Sequence, residues 1–466
     1  MPAALPLAES AERFWRTVLD VSRIVIVSLV FAFVFRAFFV EPFIIPTGSM
    51  APGLLGEHRT LSCPHCGAES DQSTTGWRRA DSSFTCANCR RTIAESAAVA
   101  ARKDGDRILV HKWPVALTPP QRWDVIVFRD PENASQTYIK RVVGLPGETV
   151  EFRDGDLWIN GAPKAKPPHA QAVLWHPVFD QSQLAPSDDE HDPPPFRWES
   201  AHAENRGWSG EADRVLRFDP AAGADDTIAL HGQNTDSWLD FVGYNEDSAG
   251  NFVRDLRLEM TIVWDAPAAG CAIRLNSADT PLGVTVFASG EFERLLQPSD
   301  RSRAASGRIA PRGATRVELE RLDGRARILI DGATIYEFPA PSESEVALEN
   351  SLLLRGLGGA FHIRELRIWR DVYYTTSHRS KRAVRGDPFA LRINEYFVAG
   401  DNSADSHDSR EWDQGGLHLP DSYRAGTVRG DQIVGLAAMV YLPGWLTVGP
   451  RGMLRVPDVG RVRFIR

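Results

Sequence analysis

Five cysteines in 466 residues are too few for a disulfide scaffold, and four of them fall in two tight pairs, Cys63/Cys66 and Cys86/Cys89. Basic excess is lacking too. Against 61 acidic side chains stand 53 lysines and arginines, a net charge of −8, which argues against a nucleic-acid surface and implies no nucleic-acid partner. No internal repeat stands out. Long hydrophobic runs are scarce as well: one exists, "VSRIVIVSLVFAFVFRAFFV", Val21 to Val40, uncharged from Ile24 to Phe35. A spanning helix needs roughly 20 mostly apolar residues, and Arg36 lies near the end of the run, where its stem can reach the interface. Glu-Pro-Phe-Ile-Ile follows rather than a small-residue cleavage site, so the run reads as a retained anchor, with a buried core helix as the rival. Arg13, Arg16 and Arg23 precede it, which predicts a cytoplasmic N-terminus and an extracytoplasmic bulk.

What is present after the run reads as β. Asp106–Lys112, Trp123–Arg129 and Thr137–Gly147 are short apolar stretches bounded by Pro, Gly and Asp. "TVEFRDGDLWING" predicts a hairpin turning at Asp154-Gly155, because Asp-Gly accepts the positive φ of a tight turn. Residues 164–197 are rich in Pro, His and Asp and read as a linker. From 198 to 375 strand patterns recur: Leu256, Leu258, Met260, Ile262 and Trp264 alternate with mostly polar neighbours, and two more turns are expected at Asp323-Gly324 and Asp331-Gly332. Many strands without helical periodicity predict a β-sandwich, with Trp238, Trp264 and Trp369 as core residues and Cys271 as a buried core cysteine. The earlier style returns at 388–466, so one domain reads as interrupted by another.

Three separated stretches carry candidate chemistry: "PTGSM" at 46–50, "YIKRVVGLPGE" at 138–148 and "GDNSADSHDSREW" at 400–412. A serine hydroxyl is a poor nucleophile until a base takes its proton, and a lysine serves if burial lowers its pKa. Lys140 sits in an apolar strand-like run, and alternation sends Arg141 to the opposite face. In this order behind an apolar segment, the three stretches resemble the type I signal peptidases, membrane-anchored serine–lysine endopeptidases. The resemblance covers the anchor, roughly residues 21–60 and 104–163, and the tail from about 388 to 446.

The resemblance implies Ser49 as nucleophile and Lys140 as general base, with no cofactor for catalysis. It implies an oxyanion hole from the Ser49 N–H and the Thr47 hydroxyl, Ser406 as the residue orienting the lysine, and Asp408 and Arg410 in a supporting ion-pair network that includes Arg141. Phe43, Ile45, Pro46 and Ile139 match residues of the substrate pockets. Asp413 stands where relatives often have Gly, and His407 carries no family role and reads as a surface histidine. The implied partners are signal-peptide-bearing preproteins and the membrane. Residues 198–375 resemble laminin-G or concanavalin-like sandwiches, implying a glycan or protein ligand or a simple spacer.

The cysteine pairs form two C-x2-C knuckles with zinc-ribbon spacing, so Cys63, Cys66, Cys86 and Cys89 are expected to bind a structural zinc, with disulfides as the alternative in an oxidising compartment. His65, inside a knuckle, reads as outside the ligand set. The expected fold class is therefore mostly β: a signal-peptidase-like core behind one transmembrane helix, carrying a zinc-ribbon-like insert and a β-sandwich insert. The expected segments are 1–20 cytoplasmic, 21–40 anchor, 41–62 serine box, 63–103 zinc-ribbon-like insert, 104–163 lysine box, 164–197 linker, 198–375 sandwich, and 388–466 third core segment and tail. The expected function is signal-peptide cleavage at a cell membrane. The alternative is a membrane-tethered binding protein whose sandwich works on an inactive peptidase scaffold.

Overall fold

The structure is a computed structural model. It describes residues 7–74, 83–94, 99–112, 117–183, 196–200, 207–210, 214–220, 225–232, 251–276, 282–295, 306–340, 351–376, 379–448, 454–457 and 459–465. Trp238 and residues 184–195 of the expected linker lie outside them. The chain is mostly β behind one long N-terminal helix, as the alternation of its apolar residues implies.

That helix runs Leu7–Phe38 without a break at residue 20, because the stretch from Leu7 to Asp20 contains good helix formers and neither Gly nor Pro. Its most apolar window is Phe14–Val34, none of it buried by the protein. At about 1.5 Å per residue the 32 residues reach about 48 Å, more than the roughly 30 Å of a bilayer's hydrocarbon core. The helix fits a single-pass membrane anchor. It stops at Phe38, so Val40 belongs to the following strand, Val40–Ile44, rather than to the anchor.

An eight-stranded antiparallel sheet collects three distant parts of the chain. Its strand order is Val40–Ile44, Arg107–His111, Ile433–Leu442, Val125–Arg129, Thr137–Gly144, Glu395–Ala399 and Val428–Arg429, with Arg463–Phe464 also pairing with Ile433–Leu442. The late strand Ile433–Leu442 lies between two early ones, so this sheet closes only when the chain has returned. A second sheet shows the same return: Val150 pairs with Phe389 across 239 positions.

The intervening chain builds two further sheets, one around Leu256–Trp264, Ala314–Leu322 and Phe361–Arg370, the other around Asp226–Gly232, Gly270–Asn276 and Ser351–Leu357. Leu256, Leu258, Met260 and Ile262 from the first and Cys271, Ile273, Leu352 and Leu354 from the second bury into one apolar core, with Trp264 packed against it. The alternation expected for that strand is observed, as is the buried Cys271. Asp154, Asp323 and Asp331 all adopt positive φ before a glycine with positive φ, as the three turns require. The segment read as a linker carries structure: a helix at Pro168–Leu174 and a strand at His176–Asp180 that pairs with Phe361–Arg370. Proline fits the first turn of a helix, where its missing N–H costs nothing, so Pro-richness misled there.

Candidate active site and four-cysteine cluster

Ser49 sits in a tight loop after the first strand. The loop is closed by Ala51 N–H donating to Gly48 O (2.9 Å) and Leu54 N–H donating to Met50 O (2.8 Å). Lys140 projects from the strand Thr137–Gly144. Its Nζ lies 2.5 Å from Ser49 Oγ in a hydrogen bond across 91 positions. Both are buried, at 8% and 4% exposure. Burial pushes the Lys140 ammonium down to about 8, with Asp408 opposing and Arg410 reinforcing that shift. The Tyr138 ring lies 5.6 Å from Nζ.

Behind the pair the third stretch folds into a dense network. Asp408 Oδ2 accepts from Ser406 Oγ (2.7 Å), the Gly400 N–H (2.9 Å) and Arg410 Nη2 (2.7 Å), while Oδ1 accepts from Arg410 Nε (2.9 Å). Burial raises the Asp408 pKa, but Arg410 and these hydrogen bonds outweigh it and hold the carboxyl below its ordinary value. Arg410 also donates to Thr375 O at 2.7 Å, which ties in the chain as it leaves the sandwich sheets. A Cβ on Gly400 would stand 2.3 Å from Ser406 Oγ and 2.4 Å from Ser49 O, so only glycine fits between them.

Two features differ from the sequence-based expectation. Arg141 does not join Asp408 and Arg410; its Nε and Nη2 donate to Asp401 Oδ1 and Oδ2 at 2.7 and 2.6 Å, and its Nη1 donates to Trp123 O. The reason is facing: Arg141 points away from Lys140, and Asp401 is the carboxylate that meets it. Ser406 donates to Asp408, and among the described residues no hydrogen bond joins it to Lys140.

Asp401 and Asn402 were missed. Asn402 donates its backbone N–H to Ser49 O (3.1 Å) and its side chain to Gly48 O (3.3 Å), pinning the serine loop. The available signal was an arginine inside an apolar strand, which demands a buried carboxylate, beside a stretch offering three.

Phe43, Ile45 and Ile139 converge on one apolar cluster with Met50, Leu54 and Val127. Pro46 and Thr47 are exposed. His407 is exposed, as expected of a surface histidine, and bridges Glu132 (2.8 Å) and Glu411 (3.2 Å); the hydrogen bond to Glu411, then that to Glu132, raises it to about 9 despite partial burial. Asp413 pairs with Lys381.

All four knuckle cysteines are buried and none forms a disulfide. Their Sγ atoms lie within 4.8 Å of one another, with Cys63–Cys89 at 3.7 Å and Cys66–Cys86 at 3.6 Å. Four thiolates at about 2.3 Å from one tetrahedral ion stand about 3.8 Å apart, so the set fits zinc. The knuckles are built alike. The N–H groups of Gly67 and Arg90 donate to Cys63 O and Cys86 O, and both residues have positive φ. His65 is exposed and bonds Arg91 rather than facing the thiols.

A cavity of about 410 Å³ lies between the helix Pro168–Leu174 and the sandwich, lined by Trp175, Arg257, Glu318, Glu320, Arg327 and neighbours. Its charges already pair with one another, Arg257 with Glu318 and Arg327 with Glu320, and define no ligand.

An apolar helix that fits a membrane anchor, followed by a β sheet that brings together serine, lysine and a buried acidic–arginine network, defines a β-rich class of protein. Within that class, a sequence model of the family described as "Signal peptidase, peptidase S26" matches residues 84–195 and 326–442, which include Lys140 and the Asp401–Arg410 stretch. Similar curated proteins are "Signal peptidase I V" of Bacillus subtilis (37% identical over 65 residues, 14% of this chain and 38% of that protein) and "Signal peptidase I" of Rickettsia typhi (30% over 129 residues, 28% and 38%). "Probable signal peptidase I-1" of Synechocystis is 38% identical over 80 residues, 16% of this chain and 41% of that protein. The matched segments make up just under half of the chain, which is similar over them to the signal peptidase family, peptidase S26. It spans about two-fifths of the length of these relatives. Among solved structures, a family GH16 endo-beta-1,3(4)-glucanase aligns over 49% of this chain and 97% of its own at 13% identity, with a TM-score of 0.27, too low to bear on function.

Proposed function

We propose that this protein is a membrane-bound serine endopeptidase that removes N-terminal signal peptides from exported preproteins by a serine–lysine mechanism. The observation that carries the reading is the 2.5 Å contact between Ser49 Oγ and Lys140 Nζ, both buried. With its pKa lowered to about 8, a useful fraction of Lys140 is neutral amine near neutral pH.

Ser49 Oγ attacks the scissile carbonyl carbon as its proton passes to Lys140 Nζ. The Ser49 N–H and the Thr47 hydroxyl stabilise the oxyanion. Collapse breaks the C–N bond, Lys140 returns the proton to the leaving amine, and an acyl-Ser49 ester remains. Neutral Lys140 then takes a proton from water, whose oxygen attacks the ester carbon; as the ester C–O bond breaks, Lys140 passes that proton to Ser49 Oγ, which frees the serine and restores the amine. Asp408, held charged by Arg410, fixes Ser406 and Gly400 behind the pair. Asp401 with Arg141, and Asn402, fix the serine loop. Phe43, Ile45 and Ile139 form the apolar wall for small substrate side chains, and Pro46 flanks it. The helix anchors the chain in a cell membrane with its N-terminus inside, which raises the local concentration of membrane-delivered substrates. The four cysteines hold one structural zinc, since four thiolates leave no open position for catalysis.

The test is cleavage of a preprotein in detergent or proteoliposomes. Ser49→Ala and Lys140→Ala should each lower kcat by about 10³-fold or more. Equal cleavage by wild type and both variants would remove the peptidase reading and leave the binding-protein alternative.

A further inference from the structure

The four-cysteine module has a small core. Its buried cluster is Leu61, Cys63, Cys66, Ala68, Phe84, Cys86, Cys89 and Ile93, half of it thiols. An apolar core of that size does not offset chain entropy, so metal binding and folding of the module become one event. Both ends of the module are fastened to other parts of the protein.

One end is the serine loop. Gly56, two residues before the module's first strand His58–Ser62, packs on the backbone of Thr47: a Cβ there would stand 2.4 Å from Thr47 C. Glu57 N–H donates to Pro46 O at 3.4 Å, and Glu57 O accepts from the N–H and hydroxyl of Thr74 at 3.0 and 3.1 Å. The next strand thus grips the residue that grips the loop.

The other end is the sandwich. Asn88 lies between Cys86 and Cys89, buried. Its Nδ2 donates to Asp180 O (3.2 Å) and its Oδ1 accepts from Asp180 N–H (2.6 Å). A carboxamide offers a donor and an acceptor side by side, so it pairs with a peptide group as a neighbouring strand would. Asp180 ends the strand His176–Asp180, which pairs with Phe361–Arg370.

We propose that the metal-loaded module is a brace holding the serine loop and the sandwich edge in fixed relation, with Asn88 as its latch. Metal occupancy then regulates how firmly the loop bearing Ser49 is positioned. Cys86 and Cys89 flank Asn88, so the ion that fixes the thiolates also fixes the latch. This rests on the zinc reading above.

The experiment is hydrogen exchange by mass spectrometry on the full chain in detergent, with zinc measured by elemental analysis. Wild type, Cys86→Ser/Cys89→Ser and Asn88→Ala are compared. Wild type should hold about one zinc per chain. The double variant should lose it and exchange about tenfold faster or more in both 52–58 and 176–183. Asn88→Ala should keep the zinc and speed exchange in 176–183 alone. Wild type without zinc sinks the metal reading. Unchanged exchange in the zinc-free variant sinks the brace, and unchanged exchange in Asn88→Ala sinks the latch even if the double variant misfolds. Neither readout uses peptide cleavage, so failure of the peptidase reading would show separately.

Discussion

Two lysines are buried to nearly the same degree, Lys140 at 4% and Lys166 at 7% exposure, and their environments make them chemically opposite. Lys140 meets a hydroxyl, and burial takes its pKa down to about 8. Lys166, at the seam with the sandwich, meets carboxylates: its Nζ pairs with Asp323 and lies 2.7 Å from Asp371, while its N–H donates to Asp323 Oδ2 at 2.8 Å. Burial would lower it too, but Asp323 and Asp371 outweigh that and hold it well above its ordinary value. Desolvation is common to both sites, and the contacting oxygen decides between a base and a fixed cation. A seam needs a permanent charge; proton transfer needs one that can leave.

The largest effect should come from deleting each amine. Lys166→Ala strands two buried carboxylates and should cost about 3–5 kcal/mol in denaturant unfolding. Lys140→Met removes a desolvated amine with no carboxylate in contact and should leave stability equal or higher. Equal losses would break the comparison.

The pH dependence sharpens it. Only the neutral amine accepts the serine proton, so kcat/KM should rise about tenfold per pH unit and level off near 8. A flat profile from pH 6 to 9 would contradict the lowered lysine. The linkage signs are opposite as well. A folded pKa of about 8 against an ordinary 10.5 means Lys140 adds stability as pH rises between those values, whereas the Lys166 contribution is complete below 10.5 and fades only above it.

The smallest effect concerns His407, half-exposed between Glu132 and Glu411. Its raised pKa means its contribution is full below about 6.5 and lost as pH rises through about 9. His407→Gln should differ from wild type by less than about 1 kcal/mol at pH 6, and the difference should vanish by about pH 10. A difference that persists at high pH would show packing rather than charge.

The lysine at the seam was invisible in the sequence because it lies inside a proline-rich stretch that reads as solvated linker. Lys140 was legible because its own neighbours, Ile139, Val142 and Val143, are apolar. Likewise the Cys63/Cys66 and Cys86/Cys89 knuckles announce themselves by spacing, while nothing local in Cys-Ala-Asn-Cys tells that Asn88 reaches Asp180. Arg141 shows the limit most plainly. Alternation gave its face correctly, but the choice of Asp401 over Asp408 depends on how a loop 260 positions away lies against that face.

What the sequence alone determined is what short-range physics controls. A helix-forming apolar run, period-two strands, Asp-Gly turns that accept positive φ and paired cysteines each act within a few residues. Only the tertiary structure decided which buried charge met which partner, and so which lysine stays an ammonium and which can give up its proton. Desolvation and pairing are properties of a position in space, and the groups that set them lie 91 to 260 residues apart along the chain.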